Sequence, residues 1–331
     1  MGISASVAIP TYERSSCLIE AMQSAVAQRT DFDYEVMVLD NGCESDLQAE
    51  TECIAKQATV SVRYIPIPEI GLHNGRNKAA LLASSSILVY VDDDVIAPKD
   101  WLAAMCAPFK DPNVGGVAGK SVPYIEGSRP GWIDAVPPSY FSLLDLGPHT
   151  HEIHWPQTPY GCNMAFRRDV VLELKGFSPD AMGKNAIEWL RGDGETGFAQ
   201  KVYAAGYKII YTAEGWLYHK IPQERMTLKY VRRRAMKSGI SSFYRQMRTH
   251  RYTSLALMRM GLMNLTRFTT ARIRNELSQA PMSADWVRRE LQTVALGTIG
   301  IYQLRLALDP GLRKWVNREH YMSRDSDNHA W

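Results

Sequence analysis

Short apolar runs alternate with stretches of helical spacing through the first two hundred residues. Val7-Ala8-Ile9 runs into Pro10-Thr11-Tyr12-Glu13-Arg14, which reads as a strand breaking into a loop. Leu18, Met22, Ala25 and Val26 then recur on one helical face within residues 15–28. A second strand, Tyr34 to Leu39, ends in Asp40-Asn41-Gly42, and a helix over about 45–57 and a strand over 60–65 follow. Gly71-Leu72-His73-Asn74-Gly75-Arg76-Asn77 opens a helix that runs through Leu82. The run Ile87 to Val91 is apolar on both faces, as a strand covered on both sides would be, and stops at Asp92, Asp93 and Asp94. Pro98 ahead of Asp100-Trp101-Leu102 marks a helix start, and Tyr207 to Tyr211 gives a later strand. This alternation predicts an α/β fold with a mostly parallel sheet and right-handed crossovers. Its polar strand ends, Thr11 to Arg14, Asp40 and Asp92 to Asp94, would meet at the edge where open sheets bind ligands.

The pattern changes at Pro222. Residues 226–248, 253–278 and 285–308 are helical in spacing, and charge changes with them. Residues 1–221 carry 18 Lys/Arg and 27 Asp/Glu, a net of −9, whereas residues 222–331 carry 20 and 8, a net of +12. Arg232-Arg233-Arg234, Lys237, Arg245 and Arg248 stand among apolar positions, and Leu255 to Leu265 give a broad apolar face flanked by arginines. Two readings stay open: contact with an anionic membrane surface, or a helical subdomain packed on the first portion. No nucleic-acid motif accompanies the charge, so nucleic acid is not an expected partner. The tail after Tyr321 reads as disordered.

Five widely spaced cysteines without a CxxC pair look like reduced thiols of a cytosolic protein. Apolar strand residues begin almost at Met1, with no basic leader before them. No run of 18 apolar residues predicts a membrane span. The opening Met-Gly is discounted as a lipidation signal because a buried strand follows it. The expected location is cytoplasmic, either free or peripheral on the inner face of the membrane.

Three adjacent carboxylates at a strand end repel one another, which calls for a cation. A hard divalent metal suits oxygen ligands and can bridge to phosphates; a solvated acidic turn is the plain alternative. No GxGxxG follows the first strand, which removes the main support for dinucleotide binding. Gly115 to Ser121 resembles a phosphate loop but has Val114 where the first glycine belongs, so it reads as strand and turn. Residues 120–160 are rich in Pro, Gly and aromatics, and Trp155 among them would suit the face of an acceptor sugar. His149, His151 and His154 lack a partner at zinc-ligand spacing.

The pieces VAIPTYER, VMVLDNGCESD, GLHNGRNKA, LVYVDDDVIAPKDWL, GCNMAFRRDV with Gly176-Phe177, and RGDGETGFAQKVYAAGYKI occur in one order over roughly residues 4 to 221. In that order they resemble a family 2 glycosyltransferase of GT-A fold. The resemblance implies a catalytic domain over 1–221 and a basic helical region over 222–331. It implies that Asp40 binds the nucleotide base, that Pro10, Thr11 and Glu13 lie against base and ribose, and that Arg76 holds the diphosphate beside Asp93. Asp92 and Asp94 would be the metal aspartates, with His219 closing over the metal, and Mn2+ or Mg2+ is the implied cofactor. Asn163 would face acceptor or donor sugar. The catalytic base would be Glu195, with Asp193 as competitor because the family's usual acidic pair is here Asp193-Gly194-Glu195. The implied reaction is an inverting transfer from a UDP-, dTDP- or GDP-linked sugar to a glycan or lipid-linked hydroxyl. A nucleotidyltransferase on the same sheet and a non-catalytic membrane scaffold are the competing readings. The first leaves the Asp193–Glu195 site without a task, and the second leaves Asp40, Asp92 and Asp94 without one.

Overall fold

The computed structural model describes residues 4–12, 17–43, 45–180, 189–278, 280–318 and 321–322. Glu13 and the tail expected to be disordered lie outside the described residues. Strands β1 (Ala5–Thr11), β2 (Tyr34–Asp40), β3 (Ser61–Pro66) and β4 (Ile87–Val91) run parallel in the order β3-β2-β1-β4. Successive side chains of a strand point to opposite faces, and each face of this sheet has its own core. Val7, Ile9, Val36, Val38, Val89 and Val91 join α1 (Leu18–Val26) and α4 (Trp101–Cys106). Ala8, Met37, Leu39, Leu88 and Tyr90 join α3 (Leu72–Leu82), α5 (Arg168–Glu173) and α6 (Gly194–Ala204). Two-sided burial is why these strands read as unbroken apolar runs. The helix α2 (Ser45–Gln57) connects β2 to β3.

The sheet is mixed beyond β4. β5 (Val95–Ile96), β6 (Val114–Ile125), β7 (His151–Ile153), β8 (Asn163–Arg167) and β9 (Lys208–Ile221) complete nine strands, ordered β3-β2-β1-β4-β8-β6-β9-β5 with β7 on β9. β8 runs antiparallel to both neighbours, and β5 and β7 run antiparallel to β9, while β6 and β9 are parallel. The glycine-rich stretch at 115–121 lies inside β6, as strand. A Cβ on Gly119 would come within 2.2 Å of the Asn163 side chain, so glycine is set there by its neighbour across the ladder.

After Ile221 the described chain is helical: α7 (Leu228–Thr249), α8 (Ser254–Glu276), α9 (Ala284–Leu308) and α10 (Pro310–Val316), after a short turn of 3-10 helix at Gln223–Arg225. Thr227, Thr253, Ser283 and Asp309 each accept a backbone N–H at the helix start, satisfying one otherwise unpaired donor. These helices share their cores with the first portion. Val231, Ala235, Val287 and Leu291 pack with Trp132, Ile133, Val136 and Phe141, and Phe243, Leu257, Tyr302 and Leu306 pack with Trp189 and Leu190. Buried Glu290 of α9 accepts from Arg232 of α7 at 2.8 Å, and from Arg272 and Asn275 of α8 at 2.7 Å each. Removing those donors would strand a buried charge at a cost of several kcal/mol, so the pairings fix how the three helices meet. Arg232 therefore faces the protein rather than a membrane.

Candidate active site

The strand that ends in three aspartates is turned back on itself by β5. Val95 pairs with His219 of β9, and the Lys220 N–H donates to the Asp94 carbonyl at 2.8 Å. That register carries the imidazole to the aspartates: His219 Nε2 lies 3.2 Å from Asp94 Oδ1. One ligand atom from each of Asp92, Asp94 and His219 falls within 4.8 Å of the others. Oδ1 of Asp94 and Nδ1 of His219 are buried without a hydrogen-bond partner. Two carboxylates and a histidine converging on one point suit a divalent cation, and the histidine favours Mn2+ over Mg2+. Among the described residues, no other group of three possible ligands converges in this way, the histidines at 149, 151 and 154 included.

The position opposite Asp94 is held by a protein cation. Arg225, on the turn that follows β9, donates through Nη2 to Asp94 Oδ2 at 2.8 Å. Burial works to raise the Asp94 carboxyl, but His219 and Arg225 hold it below its ordinary value. Burial and the Asp94 charge push Asp93 up to about 7, although Thr11 donates to it at 2.6 Å.

A second cluster forms behind this one. Arg76 sits on the inward face of α3, 2% exposed, with Glu195 at 3.1 Å, Asp92 at 3.8 Å and Asp180 at 3.9 Å. Gly161 is the residue that leaves it room, since a Cβ there would lie 2.0 Å from Nη2. Asn77, one residue along α3, donates to the Phe177 carbonyl at 3.1 Å and accepts its N–H at 2.8 Å. That clamp fixes the segment leading to Asp180, and Arg191 closes on Asp180 at 2.5 Å. Burial opposes the charge on Arg76, yet Glu195, Asp92 and Asp180 keep its pKa above the ordinary value. Burial and the neighbouring Asp180 charge push Glu195 up to about 7, against the pull of Arg76. Asp180 is opposite in character: burial acts to raise it, but Arg191 and Arg76 bring it down to about 2. Of two adjacent carboxyls, one is thus a firm anion and the other is poised to take a proton near neutral pH.

A cleft of about 450 Å3 opens over the aspartates. Pro10, Thr11, Tyr12, Asn41 and Ile70 line one end, and Asp92 to Asp94, His219 and Arg225 its middle. Tyr140, Phe141, Asp180 and Arg191 are joined at the other by Tyr230, Arg233, Arg234 and Lys237 of α7. The expected residues divide accordingly. Pro10, Thr11, Asp92, Asp93, Asp94 and His219 line the cleft. Asp40 lies beneath it, accepting from the Gly42 N–H and the Tyr64 hydroxyl at 2.8 Å each. Arg76, expected at the diphosphate, is instead the buried partner of Glu195. Asn163 belongs to the frame: it accepts from the Trp101 indole at 2.9 Å and donates to the carbonyls of Lys120 and Gly215, each at 2.8 Å. Trp155 is 45% exposed and does not line the cleft. Asp193 stands at the start of α6 with its carboxyl against Gly197, and burial raises its pKa against the pull of Arg245, Arg248 and Lys201.

Sequence reasoning missed Asp180 and Arg225, and it left the α7 cations open between a membrane surface and packing on the first portion. Asp180 stands three residues after the Gly176-Phe177 pair, which was a usable signal. Arg225 had none, because only the β5–β9 register brings it to Asp94.

A sheet of this order, with a Asp–Asp–His cluster at the carboxyl end of its fourth strand, defines a GT-A glycosyltransferase. The glycosyl transferase family 2 profile matches residues 6–174, and the chain belongs to that family. It is 24% identical over 239 residues to the succinoglycan biosynthesis protein ExoM of Rhizobium meliloti, covering 70% of this chain and 72% of that one. It is 24% identical over 245 residues to a glucosyl-dolichyl phosphate glucuronosyltransferase of Haloferax volcanii, covering 71% of this chain and 75% of the other. Among solved structures, the mannosyltransferase PcManGT of Pyrobaculum calidifontis, in complex with GDP-mannose and Mn2+, matches with a TM-score of 0.50 and 19% identity, over 92% of this chain and 75% of that one.

Proposed function

We propose that this glycosyltransferase moves a sugar, with inversion, from a nucleotide-diphosphate donor to the hydroxyl of a glycan or lipid-linked acceptor, with Glu195 as the base. The observation that carries the reading is the pairing of Glu195 with Arg76 directly behind the Asp92–Asp94–His219 cluster. Asp92, Asp94 and His219 would hold a divalent cation, Mn2+ or Mg2+. Bound there, it would stabilise charge on the leaving diphosphate. Pro10, Thr11, Tyr12 and Asn41 form the wall for base and ribose, with Asp40 holding the turn beneath. The UDP-, dTDP- and GDP-linked sugars are the donor classes in question. Arg225, at the cleft wall beside Asp94, would offer its fork to the diphosphate.

An inverting displacement needs a carboxylate to take the acceptor proton on the face opposite the leaving group. Glu195 suits that task because its proton affinity lies near neutrality, and Arg76 stabilises its anion once the proton has left again. Asp193 is not among the carboxylates that surround Arg76. In nucleotidyl transfer the Glu195–Arg76–Asp180 group would have no part. The names of a succinoglycan biosynthesis protein and a glucosyl-dolichyl phosphate glucuronosyltransferase among the relatives support a polysaccharide or lipid-linked glycan as product class.

The test is a thermal-shift panel of UDP, GDP, dTDP and CDP, each with Mn2+, Mg2+ or EDTA. A ligand that binds the folded state raises its apparent stability by mass action. One nucleotide should give a metal-dependent shift that Asp94→Ala removes, and its sugar donor should be turned over by the wild type but not by Glu195→Gln. No shift with any of them at millimolar ligand would sink the reading.

A further inference from the structure

The structure assigns the outer face of α8 to an anionic lipid bilayer, on which the helix lies flat. α8 is apolar on two opposite sides. Leu257 and Gly261 face inward, with Gly261 against Leu304 and Gly300 of α9. On the outer side Leu255, Leu262, Ile273 and Leu277 are exposed by 66%, 56%, 56% and 77%. Residues 18 apart in a helix are five whole turns apart, so Leu255 and Ile273 share one line and Leu262 and Leu277 lie close to it. A helix apolar all round is normally buried all round. This one has protein on one side only.

The polar residues of that face support a lipid partner. Thr266, Thr269 and Thr270 would interrupt an apolar stripe if their hydroxyls pointed to water. Each donates instead to a carbonyl one turn back, at 3.0 Å to Leu262, 3.0 Å to Leu265 and 3.1 Å to Thr266. The hydroxyls are satisfied within the helix, which leaves the methyl groups to extend the stripe. The charges are one-sided: Arg259, Arg267 and Arg274 are all exposed, and Glu276 is the sole acid of α8. Arginines beside an apolar stripe can lay their stems on lipid and raise their guanidinium groups to phosphate headgroups. A second copy of this face would bring arginines against arginines. No helix of the described residues is long and apolar enough to cross a membrane, so the contact lies in the interface plane.

The inference is independent of the sugar-transfer reading, because vesicle binding requires neither donor nor metal. The experiment is co-sedimentation of the full chain with vesicles of phosphatidylcholine, alone or with a third phosphatidylglycerol. The wild type should pellet with the anionic vesicles and far less with the neutral ones. Leu262→Asp with Ile273→Asp should abolish pelleting at an unchanged melting temperature. Arg259→Gln, Arg267→Gln and Arg274→Gln should each weaken it, by about fivefold per arginine, since one basic residue near such a surface contributes about that factor. If the aspartate pair fails to fold, Leu262→Trp supplies a second reading: its fluorescence should be quenched by brominated lipid. Three results would overturn the assignment. One is no pelleting; another is pelleting indifferent to lipid charge and to these substitutions. The third is concentration-dependent dimerisation lost in the aspartate pair, which would give the face to a second copy.

Discussion

Two arginines stand among carboxylates a few ångströms apart, and they are held in different ways. Arg76 is enclosed on a regular helix by Glu195, Asp92 and Asp180. Arg225 rests on a three-residue turn at the cleft wall and holds Asp94 through a single oxygen. An enclosed cation cannot leave without stranding the Glu195 carboxylate, so its effect is to set the proton affinities around it. A cation on an open turn can be exchanged for another. The first cluster therefore fits proton transfer and the second fits metal binding, although both are Arg–Asp contacts.

Substitutions separate the two, beginning with the largest effect. Asp94→Ala removes one of the three proposed ligands and should lower transfer on the order of a thousandfold or more, while abolishing the metal-dependent nucleotide shift. Glu195→Gln should lower kcat by roughly 10²–10⁴-fold, the span of general-base catalysis, and leave nucleotide binding intact. The pH profile gives a finer test. As the proposed base Glu195 must be ionised, and its carboxyl is raised to about 7, so kcat/KM should rise with pH through about 7 and then level. Arg76→Met, which retains bulk but not charge, should move that limb to higher pH and destabilise the fold by about 3–5 kcal/mol by breaking a buried pair. A limb that stays in place in a folded variant would break the contrast between the clusters.

The same raised carboxyl has a consequence for stability. Its folded value lies above the unfolded one, so ionisation opposes folding increasingly as pH climbs from about 4.5 to about 7. Glu195→Gln should reduce the loss of melting temperature between pH 5 and pH 8. Arg225→Ala carries the smallest expected effect. Without the competing guanidinium, Mn2+ should bind the nucleotide-free protein a few-fold more tightly, whereas the nucleotide diphosphate should bind more weakly.

The parallel half of the sheet was legible because both faces of its strands are buried, which produces unbroken apolar runs ending in polar turns. Asp92, Asp94 and His219, which the fold brings together, could be picked out in the same way, as residues near strand ends. What sequence spacing could not give is set by pairing across the sheet. Asn163 carries no local sign that all of its side-chain atoms are used by Trp101, Lys120 and Gly215. Arg76 gives no sign that it is sealed beneath Gly161. The antiparallel strand β8 changes the direction of the sheet in the middle, and β5 is only two residues long. The basic helices were recognised, but composition cannot say which face of a helix is turned inward. α7 turns Arg233, Arg234 and Lys237 to the cleft, and α8 turns Arg259, Arg267 and Arg274 out.

The most direct test is calorimetric titration of Mn2+ into the nucleotide-free protein, as wild type, Asp94→Ala and Glu195→Gln. If the clusters are distinct, wild type and Glu195→Gln bind one equivalent with similar affinity, and Asp94→Ala binds none. Retention of Mn2+ by Asp94→Ala, or its loss in Glu195→Gln, would contradict the division of labour between Arg225 and Arg76.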